Sequence, residues 1–246
     1  MNFETVSSNA FADKVVLVTG AGAGIGKQAA LSLAAHGATV ILLGRTVAKL
    51  ETTYDEIVAA GGAEPAIVPL DLKGATDKHY LDMATTIEST LGRLDAILHN
   101  AGELGVLGTI EQMDMTMFDE VMKVNVRAQI SMTQALLPLL KQAEHGRIVF
   151  TSSSVGKKGR AFWNAYAMSK FATEGLMQIL ADELSNTKIR VNCINPGATQ
   201  TGMRAKAYPA EDASTLKTPA DLMPLYLYLL SDSADINGQS IDAQPK

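Results

Sequence analysis

The regular alternation of short apolar runs with longer helical segments constrains the fold of this chain more than any other feature. The apolar runs are rich in β-branched residues and nearly continuous, which is typical of strands covered on both faces. Strands separated by helices predict right-handed βαβ units. We therefore expect an α/β fold with a doubly wound, parallel, seven-stranded sheet and helices on both faces, in a three-layer α-β-α arrangement. The predicted strands are 14–19, 39–43, 66–70, 94–99, 147–151, 188–194 and 240–243.

The segments between these runs have helical spacing, and nothing among them resembles a linker. No internal repeat, low-complexity tract or Pro/Ser-rich stretch divides the 246 residues, so we expect a single domain over 1–246. Residues 1–13 precede the first strand and form an N-terminal extension. The predicted helices are 25–36, 47–60, 78–91, 117–142, 165–184 and 219–230.

Charge and cysteine content exclude several classes of partner. The formal net charge is −5, which predicts no nucleic-acid partner and no attraction to an anionic membrane surface. No apolar stretch approaches the roughly 20 residues that span a bilayer, and the first residues lack the pattern of a signal peptide. The single cysteine, Cys193, lies in an apolar run and is expected to be a buried thiol. We expect a cytoplasmic protein, and the four histidines show no metal-ligand spacing.

A glycine-rich turn follows the first predicted strand directly. It reads Thr-Gly-Ala-Gly-Ala-Gly-Ile-Gly from residue 19 to residue 26 and continues into a helical segment. Gly20, Gly24 and Gly26 permit a tight turn, and the helix beginning near Ile25 directs free N–H groups and a positive dipole end toward an anion. Such a turn alone is also typical of a flexible loop. Between the first strand and first helix of an alternating chain, it predicts a dinucleotide site.

The end of the second strand favours one dinucleotide over the other. NAD sites usually have an acidic residue there, whereas an arginine accommodates the 2′-phosphate of NADP. Here the strand ends in Gly44-Arg45-Thr46, and no Asp or Glu occurs between Asp13 and Glu51. Arg45 offers a charge-assisted contact and Thr46 a hydroxyl. NADP(H) is favoured and NAD(H) disfavoured; the alternative is that Arg45 is a solvated residue at the start of the next helix.

A second group of residues suggests proton transfer. Tyr166 and Lys170 are spaced i, i+4 and share a helical face. An ammonium group close to a phenol favours the phenolate and is expected to lower the pKa of Tyr166, which suits a general acid or base. Ser153, at the end of a predicted strand, could stabilise charge on a substrate oxygen. The neighbouring Ser152 and Ser154 are its rivals, and a tyrosine–lysine pair on an exposed helix is structural in most proteins.

Taken together in order, these motifs resemble the short-chain dehydrogenase/reductase family, whose fold is Rossmann-like, over essentially the whole chain. The segments 149–160, 169–182 and 216–226 are similar to a group of poorly characterised bacterial oxidoreductases. The motifs that carry the resemblance are T-G-x-x-x-G-x-G at 19–26, N-A-G at 100–102, Asn125, Ser153, the Y-x-x-x-K pair of Tyr166 and Lys170, and Pro196-Gly197.

The resemblance implies a role for each matching residue. Tyr166 would exchange a proton with the carbonyl or alcohol oxygen, and Lys170 would lower the pKa of Tyr166 and hold the nicotinamide ribose. Ser153 would orient the substrate oxygen, and Asn125 would hold a water that links Lys170 to solvent. The remaining implied contacts are with the cofactor: Asp71 and Leu72 with adenine, Asn100 beside the adenine ribose, and Thr199 and Thr201 with the carboxamide. Further implied cofactor-binding residues are Ala101, Gly102, Tyr166, Pro196 and Gly197.

The chain departs from the family pattern in two places. Many NADP-dependent members have a basic residue where this chain has Ala23, so phosphate recognition would rest on Arg45 and Thr46. The usual Val-Asp-Gly-Gly run near the carboxyl end is replaced by Ile-Asp-Ala-Gln from residue 241. That end often contributes to subunit contacts; we expect a homodimer or homotetramer.

The resemblance implies hydride transfer between NADP(H) and a small carbonyl or alcohol substrate. Residues 203–216 stand in the place of the family's substrate lid, and basic residues within 155–164 suggest an anionic substrate or a solvated loop. Two alternatives remain open: an NADP(H)-binding regulator or redox sensor without significant turnover, and a lyase or epimerase on the same scaffold. The complete set of Asn125, Ser153, Tyr166 and Lys170 favours the oxidoreductase.

Overall fold

Seven parallel strands form one continuous sheet in the computed structural model, which describes residues 6–244. They are β1 (Val15–Thr19), β2 (Thr39–Gly44), β3 (Ala66–Pro69), β4 (Ala96–His99), β5 (Arg147–Thr151), β6 (Arg190–Asn195) and β7 (Ser240–Asp242). Their spatial order is β3-β2-β1-β4-β5-β6-β7, and every neighbouring pair is parallel. The predicted α/β fold with a doubly wound sheet is confirmed.

Helices connect the strands and cover both faces of the sheet. Within residues 6–244 they are α1 (Gly24–Ala35), α2 (Val47–Ala59), α3 (Asp77–Leu91), α4 (Met115–Met122), α5 (Ala128–Leu140), α6 (Asn164–Glu183), α7 (Gly202–Ala207) and α8 (Met223–Leu230). Most ends lie within two residues of the prediction, as is usual for helix termini. The short α7 was not predicted. No helix in this part of the chain is long and apolar enough to cross a membrane.

Two predicted helices are interrupted, and both predictions were wrong in this respect. The segment 117–142 is not one helix, because a π-helical turn at Lys123–Arg127 separates α4 from α5. Such wide turns often mark functional sites, and this one carries the buried Asn125. The segment 219–230 begins as a 3-10 turn at Ala220–Leu222, and α8 follows with Pro224 in its first turn.

Alternating side chains of the central strands pack into two hydrophobic cores, one on each face of the sheet. In β1, Val16 and Val18 face the core formed with α1, α2 and α8, whereas Leu17 faces the core formed with α3, α5 and α6. The strands are nearly continuous apolar runs because both faces are buried. Cys193 lies fully buried in the second core, as predicted, and burial raises the pKa of its thiol.

The described part of the N-terminal extension is packed onto the core rather than separate from it. Phe11 is 2% exposed and belongs to the first core, and its backbone N–H donates to the carbonyl of His36 at 3.0 Å. Residues 1–5 lie outside the described residues. A parallel sheet places its strand ends along one edge, where ligands of this fold class bind. The loops after β1, β2, β4, β5 and β6 carry the residues considered next.

Candidate active site

The glycine turn brings three segments of backbone into close contact. Gly20 has φ +70°, a conformation that glycine adopts without strain. Gly26 packs so tightly that a Cβ there would overlap the Gly20 carbonyl and lie 2.5 Å from the Asn100 side-chain nitrogen. The first turn of α1 carries no acidic residue, and no side chain caps its N–H groups. This helix terminus is therefore suited to an anion.

Two adjoining cavities lie along the carboxyl edge of the sheet and share Gly20, Ala23, Ala101 and Gly102. The first, of about 270 Å³, lies over the end of β2, and the second, of about 330 Å³, lies over the ends of β4, β5 and β6. Predicted residues lining the first also include Arg45, Thr46, Asp71 and Leu72. Those lining the second also include Gly24, Ile25, Asn100, Ser153, Tyr166, Lys170, Pro196, Gly197, Thr199 and Thr201.

Two predicted residues, Gly26 and Asn125, line neither cavity. Asn125 is fully buried, and its side chain is hydrogen bonded within the protein. Its Oδ1 accepts from the Glu103 backbone N–H at 2.7 Å, and its Nδ2 donates to the Glu103 carbonyl and the Ser169 hydroxyl, each at 2.9 Å. The side chain thus ties the loop after β4 to α6. The water-holding role implied by the resemblance stays a prediction.

The end of β2 combines basic groups with one acid that the sequence did not suggest. The Arg45 side chain is 61% exposed, and Lys49 in the first turn of α2 lines the same cavity. Glu103, which directly follows the Asn-Ala-Gly motif, places Oε2 3.7 Å from Nη1 of Arg45. Glu103 is remote from the second strand in sequence and reaches this position from the loop after β4.

The three adjacent serines have different environments, which resolves the rivalry between them. Ser152 also lines the second cavity, but its buried hydroxyl donates to the carboxylate of Glu174, while Ser154 is exposed and lines neither cavity. Ser153 lines the second cavity and is hydrogen bonded to Tyr166. The structure therefore brings Ser153, and neither neighbour, to the tyrosine.

Tyr166 and Lys170 are both buried in α6, with their side chains directed into the second cavity. The Lys170 Nζ lies 5.5 Å from the centre of the Tyr166 ring and donates to the Thr151 carbonyl at 2.8 Å. The ammonium is thus held at Thr151, the last residue of β5, two residues before Ser153. The pair is therefore not on an exposed helix face, and its role in proton transfer stays a prediction.

The prediction of a lowered pKa for Tyr166 was wrong for the protein alone, because burial outweighs the groups that favour the phenolate. Burial raises the pKa of Tyr166 to about 12, and the hydrogen bond from Ser153 opposes this only in part. Burial likewise lowers the pKa of Lys170 to about 8. Desolvation acts on both groups because neither charged form is well solvated in the core. Near neutral pH the tyrosine holds its proton and the lysine is largely an ammonium.

The loop after β6 is held by the carboxyl-terminal segment. The Gln244 side-chain amide donates to the carbonyls of Pro196 and Ala198 at 2.8 and 2.9 Å. Thr199 is buried, and the Thr201 hydroxyl accepts from the backbone N–H of Arg204 at the start of α7. The unusual end of the chain thus supports the loop that lines the second cavity.

Comparison with known proteins decides which family has this arrangement. The family model described as short chain dehydrogenase matches residues 14–212. The chain belongs to the short-chain dehydrogenase family. YciK of Escherichia coli (strain K12), an uncharacterized oxidoreductase, is 52% identical over 234 residues, covering 95% of this chain and 92% of YciK. Cyclohexanol dehydrogenase of Acinetobacter sp. (strain SE19) is 33% identical over 239 residues, covering 94% and 93% of the two chains.

Solved structures of this family superpose closely on the chain. A short chain dehydrogenase from Shigella flexneri 2a str. 301, complexed with NADP, has a TM-score of 0.95 and 50% identity, with coverage of 97% of this chain and 100% of that chain. Another from Escherichia coli CFT073, complexed with NADPH, has a TM-score of 0.94 and 51% identity with the same coverage.

In this member of the family, the second cavity has an apolar end that sequence motifs did not reveal. Trp163, three residues before Tyr166 and so near the same helical face, is one signal that could have indicated it. Within the predicted lid 203–216, Met203, Arg204 and Ala207 line this cavity, and the function of the segment as a lid stays a prediction. The additional lining residues are Leu104, Trp163, Met203, Arg204 and Ala207.

The basic residues of 155–164 do not border the cavity, so the suggestion of an anionic substrate on their account was wrong. Lys157 forms an ion pair with Asp242 at 2.9 Å, and Arg160 donates to the Tyr208 hydroxyl at 3.0 Å. Lys158 is exposed and lines neither cavity. Across residues 6–244, no group of three or more His, Cys, Asp or Glu side chains is arranged to hold a metal ion.

Proposed function

We propose that this chain is an NADP(H)-dependent oxidoreductase that interconverts a carbonyl compound and its alcohol, with Tyr166 as the general acid and base. The observation that carries the proposal is the convergence of Ser153, Tyr166 and Lys170 in one cavity. That cavity adjoins a second one containing the glycine turn and Arg45. Proton-transfer groups and an anion-binding helix terminus are thus placed along one edge of the sheet.

The residues of the cleft fit a dinucleotide that carries a 2′-phosphate. A Cβ on Gly20 would approach Ala101 Cα to 3.1 Å, so a glycine is favoured at this position, where the backbone itself lines the cleft. Arg45 and Lys49 supply two cations at the end of β2, and Glu103 is the carboxylate that lies within ion-pair distance of Arg45. The close relatives crystallised with NADP and NADPH support the same cofactor. Pro196, Gly197, Thr199 and Thr201 would hold its nicotinamide end.

Side chains of the protein then supply the proton that carbonyl reduction requires. When bound, NADPH supplies the hydride. Tyr166 retains its proton because burial raises its pKa to about 12, so it can donate that proton to the substrate oxygen. The Ser153 hydroxyl donates a hydrogen bond to the same oxygen as negative charge develops on it. The Lys170 ammonium, fixed by the Thr151 carbonyl, stabilises the phenolate that remains.

A direct test is NADPH consumption against a panel of aldehydes, ketones, quinones and 3-oxo compounds, with NADPH binding measured in parallel. We expect saturable oxidation of NADPH with at least one class. Tight NADPH binding without turnover of any class would favour the regulator or redox sensor instead. The complete set of proton-transfer groups argues against that reading, since a protein that only binds cofactor has no use for Tyr166.

The rate of carbonyl reduction should fall as pH rises through about 8. Reduction requires Tyr166 protonated and Lys170 charged, and burial lowers the pKa of Lys170 to about 8 while it raises that of Tyr166 to about 12. The lysine therefore loses its charge first. The measurement is kcat/KM for reduction between pH 6 and about 10. In Lys170→Met the residual activity should lack this descending limb; a limb that persists would assign it to another group.

Arg45→Asp should shift cofactor preference from NADPH toward NADH. The substitution removes a charge-assisted contact and adds a second carboxylate beside Glu103, which repels the 2′-phosphate. Charged hydrogen bonds contribute about 1.5–3 kcal/mol, so NADPH affinity should fall by about 10- to 100-fold. Glu103→Gln is the matched control and should strengthen NADPH binding. Equal use of both cofactors by the unaltered protein would contradict the assignment.

Three further sequence-based statements stay predictions. They are the single domain over 1–246, a homodimeric or homotetrameric assembly, and a cytoplasmic location. Sedimentation of the purified protein would decide the assembly.

A further inference from the structure

The end of the second cavity beyond the Tyr166 ring is built from apolar side chains. Leu104 and the Tyr166 ring belong to one hydrophobic cluster, against which Trp163, Met203 and Ala207 pack. The Trp163 ring centre lies 5.7 Å from that of Tyr166 at a tilted angle. We call Leu104, Trp163, Met203 and Ala207 the substrate end of the cavity.

One of the two charged side chains at this cavity is neutralised by a carboxylate, and the other keeps its charge and is held by a backbone carbonyl. Among the residues that the structure describes, two charged side chains line it, Lys170 and Arg204. Lys170 is bonded to the Thr151 carbonyl. Arg204 donates from Nε and Nη2 to the two carboxylate oxygens of Glu211, at 2.6 and 2.5 Å, and its guanidinium lies 3.8 Å over the Tyr208 ring. A bidentate pair of this kind leaves little positive charge for a ligand.

Two exposed apolar residues lie close in sequence to Leu104 and Trp163, and one of them is strained. Val106 and Phe162 are 70% and 61% exposed, and their loops are joined by hydrogen bonds from Gly108 N–H to the Phe162 carbonyl and from the Asn164 amide to the Val106 carbonyl. Phe162 has φ +71°, which is costly for a residue with a side chain. Strain of this kind is found mostly where function requires a particular backbone.

We propose that the substrate is an uncharged carbonyl compound whose aromatic ring, alicyclic ring or alkyl chain lies against the substrate end. This rests on the proposed function. An apolar group gains by leaving water there, whereas a carboxylate or phosphate would lose its hydration against four uncharged side chains, and the adjoining Arg204 is already paired with Glu211. Arg204 contributes to the preference for uncharged over anionic substrates, because its guanidinium is already paired with Glu211 before a substrate binds.

Binding can be measured without turnover, since Trp163 is the one tryptophan of the sequence. Its fluorescence in the complex with NADP⁺ should be quenched by benzamide. The concentration of benzoate that gives the same quenching should be at least about tenfold higher. The two probes have the same ring and differ in charge. Benzoate binding as tightly as benzamide, or more tightly, would overturn the proposal even if no aldehyde is reduced.

Turnover supplies the second test. The kcat/KM for benzaldehyde should exceed that for 4-carboxybenzaldehyde by at least about tenfold at neutral pH. Glu211→Gln removes the negative charge that is paired with Arg204. The ratio of kcat/KM for 4-carboxybenzaldehyde to kcat/KM for benzaldehyde should therefore rise by about tenfold. Asp212→Asn is the control: Asp212 caps the turn at Ala213–Thr215 and does not contact Arg204, so the ratio should not change.

The outcomes separate the two proposals. Absence of turnover with every carbonyl, together with preferential binding of benzamide, would remove the proposed function and leave the apolar site in place. Turnover that favours 4-carboxybenzaldehyde in the unaltered protein would retain the oxidoreductase and overturn the substrate class. A Glu211→Gln protein with an unchanged ratio would show that Arg204 does not govern selectivity and would overturn that part.

Discussion

Replacing Tyr166 by phenylalanine should reduce kcat for carbonyl reduction by about 10²- to 10⁴-fold, the range that general acids contribute. The ring is 7% exposed and packs in a cluster with Leu104 and Ala167, so phenylalanine preserves the packing and removes only the hydroxyl. Loss of the hydroxyl leaves Ser153 able to orient the substrate but without a proton donor beside it. The measurement is steady-state NADPH oxidation, with NADPH affinity determined separately.

NADPH affinity should change little in Tyr166→Phe, because the glycine turn and Arg45 are untouched. Ser152→Ala is a matched control on the neighbouring strand position. The Ser152 hydroxyl is bonded to Glu174 and not to Tyr166, so its loss should affect stability more than the chemical step. Turnover that survives unchanged in Tyr166→Phe would remove the proposed mechanism.

Gly26→Ala should destabilise the protein and abolish most of its dinucleotide binding. The new Cβ would overlap the Gly20 carbonyl and lie 2.5 Å from Asn100 Nδ2, so backbone as well as side chain must shift. Overpacking of this kind costs about 1–3 kcal/mol or more. Because Gly20 lines both cavities, the displaced turn should also lose its fit to the pyrophosphate.

Gly175→Ala is the control for this prediction. Gly175 lies within α6, and a Cβ there would meet no atom within 4 Å. Alanine favours helix over glycine by about 1 kcal/mol, so this variant should be as stable as the parent or more stable. Denaturant unfolding and NADPH titration of both variants provide the comparison. If Gly26→Ala unfolds at the parent's midpoint and binds NADPH normally, the close approach is not required.

Much of the site was predictable because the relevant signals are local in sequence. Each main residue of the site follows closely after a strand or lies in the next helix. These residues are Gly20, Arg45, Ser153, Tyr166 and Lys170. Parallel strands in a doubly wound sheet bring all such positions to one edge. The order of the motifs therefore contained the approximate geometry of the site.

Other features depended on side-chain pairing and backbone detail that motifs and apolar periodicity do not specify, and they could not be predicted. The pairing of Arg45 with Glu103 joins the ends of β2 and β4. The bond from Arg204 to Glu211 cancels a charge that sequence alone would leave available to substrate. The break between α4 and α5 was missed because the pattern of apolar residues continues through the π-helical turn.

By itself, the sequence determined the sheet and the glycine turn and indicated which residues we propose to transfer a proton, since periodicity and motif spacing are properties of neighbouring residues. Only the tertiary structure decided how those residues ionise and what surrounds them. The spacing of Tyr166 and Lys170 suggested a lowered tyrosine pKa, but burial raises it to about 12. The physical reason is that desolvation depends on every segment packed around a group, whereas spacing describes only its own helix.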